Sequence, residues 1–154
     1  MPIERNEIIM KLVVQRVTNA CVKVDNNKVG QIEQGLLVLL GVQQSDTKEQ
    51  ADYLVKKLCG LRIFTDEAGK MNLSVKDIGG KLLIVSQFTL LADTSSGYRP
   101  SFTNAAKPEV ANELYEYFIE ECKKNEITVE HGIFGANMQI ELTNDGPVTI
   151  IMEK

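Results

Sequence analysis

Gly35-Leu36-Leu37-Val38-Leu39-Leu40-Gly41 sets an unbroken aliphatic run between two glycines. The run is too short for a typical helix and lacks polar alternation, so it reads as a strand buried on both faces. Upstream, residues 11–17 (KLVVQRV) and 20–24 read as strands joined through Thr18-Asn19. Residues 28–32 form a third strand after the turn Asp25-Asn26-Asn27. Downstream, Asp46 with Glu49 three residues on predicts a helix start, and Ala51, Leu54, Val55 and Leu58 make its apolar stripe. Residues 61–64 and 81–87 read as further strands. Pro108 opens a second helix whose stripe is Val110, Ala111, Leu114, Tyr115, Phe118 and Cys122, with Lys123-Lys124 at the negative end of its dipole. Strands at 128–130, 138–143 and 148–152 close the chain. Two helices against this many strands, with early hairpins, predict an α/β protein with a layered mixed-sheet, barrel-like fold.

A chain of 154 residues is one domain by default and buries a core without staples. Residues 1–9 read as a disordered N-terminal extension before Met10, and 10–154 as the single domain. No apolar run is long enough to span a membrane. Cys21, Cys59 and Cys122 are widely spaced and make no C-x-x-C pair, which suggests neither zinc nor a disulfide framework and fits a cytoplasmic setting. The net charge of −4 argues against broad nucleic-acid binding but leaves room for a partner gripped by a local basic patch.

Familiar catalytic signatures are absent: there is no dinucleotide-binding fingerprint, P-loop, H-E-x-x-H or nucleophile elbow. His131, the sole histidine, could act as a general base, but nothing near it in sequence recruits it and a structural role is the better reading. In residues 82–90 (LLIVSQFTL) polar groups arrive at the end of an apolar strand. Ser86 and Thr89 offer hydroxyls, Gln87 a carboxamide, and the neighbouring main-chain N–H groups could cradle an oxyanion. The loop 92–102 carries Tyr98 and Arg99, suited to stacking on a base and pairing with a phosphate, or equally to an ordinary loop. Asn144-Asp145-Gly146-Pro147-Val148-Thr149 reads as a hairpin turn with a proline where the returning strand should begin.

Ser86-Gln87-Phe88-Thr89-Leu90, Gly97-Tyr98-Arg99-Pro100-Ser101-Phe102 and the segment from Asn144 to Thr149 stand in the order and spacing of D-aminoacyl-tRNA deacylases. The resemblance spans nearly all of the chain from Met10 and takes in VVQRV at 13–17, the 35–41 strand, RIF at 62–64, MNLSV at 71–75 and FGANM at 134–138. It implies a homodimer that hydrolyses the ester between a D-amino acid and the 3′ end of tRNA, without metal or other cofactor. Ser86, Gln87, Phe88 and Thr89 would form the catalytic pocket floor, with main-chain N–H groups stabilising the oxyanion. Gly146 and Pro147, joined by a cis peptide bond, would enter the partner's pocket and reject L side chains. Phe134 and Met138 would line or support the pocket, Arg16 and Asn144 would support the Gly-Pro loop, and Tyr98 and Arg99 would contact tRNA. Action on glycyl-tRNA is implied too. The chain departs from the family at Ser95-Ser96, where basic residues are common, and at Leu91, where an aromatic is frequent. Two other readings compete: a small-ester hydrolase with Thr89 as nucleophile, and a non-catalytic RNA-binding dimer.

Overall fold

The computed structural model describes residues 10–154, so the extension expected at 1–9 lies outside the described residues. The elements run β1 (Lys11–Val24), β2 (Asn27–Ile32), β3 (Gly35–Gly41), α1 (Lys48–Gly60), β4 (Phe64–Thr65), β5 (Met71–Leu73), β6 (Lys81–Ser86), a 3-10 helix (Phe88–Leu91), α2 (Pro108–Lys123), β7 (Thr128–His131) and β8 (Gln139–Glu153). The main sheet is ordered β2-β1-β3-β6-β7, with β8 on the other edge of β1; β4 and β5 form a separate hairpin. β3, β6 and β7 are mutually parallel, whereas β1 runs antiparallel to β2, β3 and β8. The sheet is therefore mixed and, as expected, barrel-like, because β2 curls back against β6 and β7. At Gly30 a Cβ would sit 2.6 Å from the His131 carbonyl, so this closure requires a residue without a side chain.

Alternation along β3 and β6 explains their continuous apolar sequence. Leu37, Leu83 and Val85 point into the barrel with Val17, Val22 and Ile32. Leu36, Val38, Leu40, Leu82 and Ile84 point the other way, onto Leu54 and Leu58 of α1 and Leu114, Phe118 and Cys122 of α2. Both faces are dry, and each fully buried leucine or isoleucine contributes about 1.5–3 kcal/mol.

Several local expectations are corrected. β1 is one strand through Thr18-Asn19, kept continuous by pairing with β8 along its length. Thr47, and not Asp46, caps α1: its hydroxyl accepts from the Glu49 N–H (3.3 Å), and Gln50 Oε1 accepts from the Thr47 N–H (2.8 Å). Asp46 is already committed to the Gln43 N–H (2.7 Å). Of residues 61–64 only Phe64 pairs in a strand; the Ile63 carbonyl is taken instead by Arg16 Nη1 at 2.7 Å. On α2, Val110 is exposed and Ile119 joins the buried stripe. The two closing segments around Asn144 to Thr149 are a single strand, β8, and the stretch between them is a bulge and not a hairpin.

Candidate active site

β6 delivers Ser86 to the end of the barrel, where the Gln87 N–H still bonds the Leu40 carbonyl (2.8 Å). The chain then turns into the 3-10 helix. As its first residues, Phe88 and Thr89 have main-chain N–H groups with no hydrogen-bond partner among the described residues. Beside them opens a cavity of about 540 Å³ bounded by Val85, Ser86, Gln87 and Phe88, by Phe102, Ala105, Ala106 and Ala111, and by Phe134, Met138 and Ile140. Phe88, with its free N–H, thus borders a hollow that is apolar apart from Ser86 and Gln87, and Thr89 follows it in the chain. Such a combination is suited to binding a small group and to stabilising negative charge developing on it.

Phe88 stands at the mouth, 55 % exposed, with its ring edge-on to Phe102 at 5.2 Å. Phe134 leans on Tyr115 at 6.1 Å. The Tyr115 hydroxyl donates to the Ile84 carbonyl (2.8 Å), and burial pushes its pKa well above the ordinary tyrosine range. Tyr115 therefore fixes α2 to β6 and props the aromatic wall. Its helical spacing placed it in the core stripe, and only the three-dimensional contact reveals the second role.

Of the residues singled out from sequence, Ser86, Gln87, Phe88, Phe134 and Met138 meet at this cavity. Thr89 does not line it; its exposed hydroxyl accepts a hydrogen bond from Gln87 Nε2. Tyr98 and Arg99 are exposed on a loop pinned by reciprocal Asp93–Ser101 main-chain bonds (2.7 and 2.9 Å). His131 is likewise outside, its Nδ1 2.7 Å from the Gly132 carbonyl. Among the described residues no group of three His, Cys, Asp or Glu is placed to hold a metal ion.

The second assembly lies on β8. Val17 faces Asn144 and Gln15 faces Thr149, so residues 145–148 are extruded opposite Arg16. The Gly146-Pro147 peptide is cis. Arg16 is nine-tenths buried and reaches back into the bulge: Nε donates to the Asp145 carbonyl (3.0 Å) and lies 3.6 Å from its carboxylate. Asn144 closes the bulge on itself, accepting from the Val148 N–H (2.7 Å) and donating to Thr149 Oγ1 (2.9 Å). Val148 is sunk in the helix-side core, while Gly146 and Pro147 face solvent. Gly146 has φ +134°, and a Cβ there would meet Val148 Cγ2 at 2.8 Å. No residue of the bulge lines the cavity of its own chain.

A family model described as D-Tyr-tRNA(Tyr) deacylase matches residues 13–153. Over 144 residues the chain is 56 % identical to a D-aminoacyl-tRNA deacylase of Clostridioides difficile, covering 94 % of this chain and 97 % of that one. It is 57 % identical over 140 residues to one of Pseudoalteromonas translucida, covering 91 % and 97 %. Among solved structures it superposes on a c-Myc DNA unwinding element binding protein with TM-score 0.87 and 42 % identity, covering 94 % of this chain and 98 % of the other. A probable eukaryotic D-amino acid tRNA deacylase, 18 % identical with TM-score 0.81, shares the fold. The family match defines the class as a hydrolase acting on an ester bond. The chain belongs to the D-aminoacyl-tRNA deacylase family, and is a hydrolase of the ester bond in D-aminoacyl-tRNA.

Proposed function

We propose that the protein is a homodimeric, cytoplasmic proofreading enzyme in which the Gly146-Pro147 bulge of one subunit completes the cavity of the other. The observation that carries this reading is the separation of two built parts. The cavity has a free main-chain donor at its border, and no residue of the braced bulge lines it within the same chain. β8 supports a symmetric pairing, since it offers a 15-residue edge with no further strand beside it among the described residues.

In the assembled site the carbonyls of Gly146 and Pro147 capture the α-ammonium group of the substrate. That fixes the substituents on Cα: an L side chain is driven into the loop, while a D side chain points outward. Selection is by collision and not by affinity, so D side chains of many kinds are accepted and glycyl-tRNA is incompletely excluded. Water attacks the ester carbonyl with help from the ribose 2′-hydroxyl. The N–H groups of Phe88 and Thr89 stabilise the oxyanion, Ser86 and Gln87 shape the floor, and Phe134 and Met138 wall the pocket. Arg16 and Asn144 hold the bulge rigid, and Tyr98 and Arg99 meet the tRNA. The hydrogen bond from Gln87 to Thr89 supports this scheme over a threonine nucleophile, because a carboxamide is no base.

The test is release of D-tyrosine and L-tyrosine from matched charged tRNAs in the presence of chelator. Loss of the D form alone is expected. Equal rates, no hydrolysis, or a requirement for metal would overturn the reading.

A further inference from the structure

The protein is acidic overall, yet α1 and the C-terminus bring two lysines together over one exposed aromatic ring. Tyr53 is 42 % exposed, with Lys57 one turn further along the same face of α1. Lys154 Nζ lies 4.3 Å and Lys57 Nζ 5.7 Å from the centroid of the Tyr53 ring. The two charges are thus within about one Debye length, ~8–10 Å at physiological salt, and repel each other. Neither has a carboxylate partner among the described residues. The ring face offsets part of this repulsion, and an anion would relieve it further.

The sheet register places this patch at the cavity end of the molecule. Met152, Leu12, Leu40 and Ser86 form one row across β8, β1, β3 and β6. Three strand spacings put the two ends of that row about 15 Å apart. Lys154 lies just beyond Met152, its main chain paired with Met10 (2.9 and 3.0 Å). A polyanion whose end enters the cavity would pass the patch at that distance. A base-sized ring flanked by ammonium groups suits nucleic acid, with phosphates meeting the lysines.

We propose that Tyr53, Lys57 and Lys154 form a docking face for the acceptor-arm phosphates of tRNA. This rests on the deacylase reading above and adds where the body of the substrate is gripped. The patch supplies affinity for the tRNA and takes no part in the chemistry.

The test compares D-tyrosyl-tRNA with the short substrate 3′-O-D-tyrosyl-adenosine, using wild type, K57E/K154E and the milder K57A/K154A over a range of salt. For the tRNA, KM of the charge-reversed protein should rise about tenfold at low salt. The slope of log KM against log salt should become shallower by roughly 1.5–2, as two lost phosphate contacts require. The alanine pair should show a smaller change of the same kind. kcat and the rate on the short substrate should stay within about twofold, since the pocket is untouched. An unchanged KM and slope, or an equal loss on both substrates, would overturn the proposal. If wild type cleaves neither substrate, the deacylase reading fails on its own. Filter binding of uncharged tRNA then decides the patch by the same slope criterion.

Discussion

The cavity and the β8 bulge are built on opposite principles. Around the cavity the side chains are largely apolar, Ser86 and Gln87 being the polar ones, and the Thr89 hydroxyl lies outside it, turned to Gln87. In the bulge the main chain is held by specific side chains: Arg16 on the Asp145 carbonyl, Asn144 on Val148 and Thr149. Function in the first region should therefore survive side-chain loss, and in the second it should not. Substitutions in each region test that contrast.

The largest effect is expected at Gly146. With φ +134° and no room for a Cβ, Gly146→Ala must distort the bulge, at a cost of about 1–3 kcal/mol. The ratio of D- to L-tyrosine release should fall by about 10²-fold or more, because a displacement near 1 Å costs that much in a positioned site. Arg16→Ala comes next. It removes two charged hydrogen bonds, to the carbonyls of Ile63 and Asp145, each worth about 1.5–3 kcal/mol when buried. Urea denaturation should show the loss of stability, and the same enantiomer assay should show a looser gauge. A variant of either kind that keeps full discrimination would break the contrast.

The contrast also explains what was legible in the sequence. β3 and β6 were, because two dry faces demand continuous aliphatic runs, and Pro108 marked the start of α2. The cap of α1 is ambiguous in the sequence because Asp46-x-x-Glu49 and Thr47-x-x-Gln50 are overlapping capping boxes. Tertiary structure chooses between them by occupying Asp46 with the Gln43 N–H. The bulge reads as a hairpin in the sequence because Asp-Gly before proline is a turn signal, and nothing local says that both flanks pair with β1. For the cavity, the segments 86–90 and 134–138 pointed to their own residues. The contributions of Val42, Ala105 and Ala106 follow only from the strap that the Ala106 N–H ties to the Val42 carbonyl (2.9 Å).

Asp46 gives a milder test beside the cavity wall. It is buried, its Oδ1 has no partner among the described residues, and burial pushes its pKa up to about 6, the Gln43 N–H partly opposing this. A carboxyl whose folded pKa exceeds its unfolded value favours the native state at low pH, and that contribution is lost as pH rises through 6. Asp46→Asn should therefore gain on wild type as pH rises from 4 to 7.5, by about 1–3 kcal/mol in urea denaturation. Turnover on D-tyrosyl-tRNA should be preserved at neutral pH, as Asn Oδ1 can still accept from Gln43. A gap between the two proteins that does not vary with pH would contradict the assignment.

The smallest effect is expected at the residue that looks most like a catalyst. Thr89→Ala removes a hydroxyl that neither lines the cavity nor faces a base, and it leaves the Thr89 N–H in place. If the oxyanion is held by main-chain donors, kcat should fall by less than about tenfold, since a single retained donor of this kind is worth 10²–10³. The D/L ratio should not move if, as proposed, chirality is gauged by the β8 bulge. A covalent threonine mechanism predicts instead a loss of many orders of magnitude and a trappable acyl-enzyme, detectable as a mass increment on the wild type and absent from the variant. The size of this one decrement thus separates chemistry done by side chains from chemistry done by the backbone they decorate.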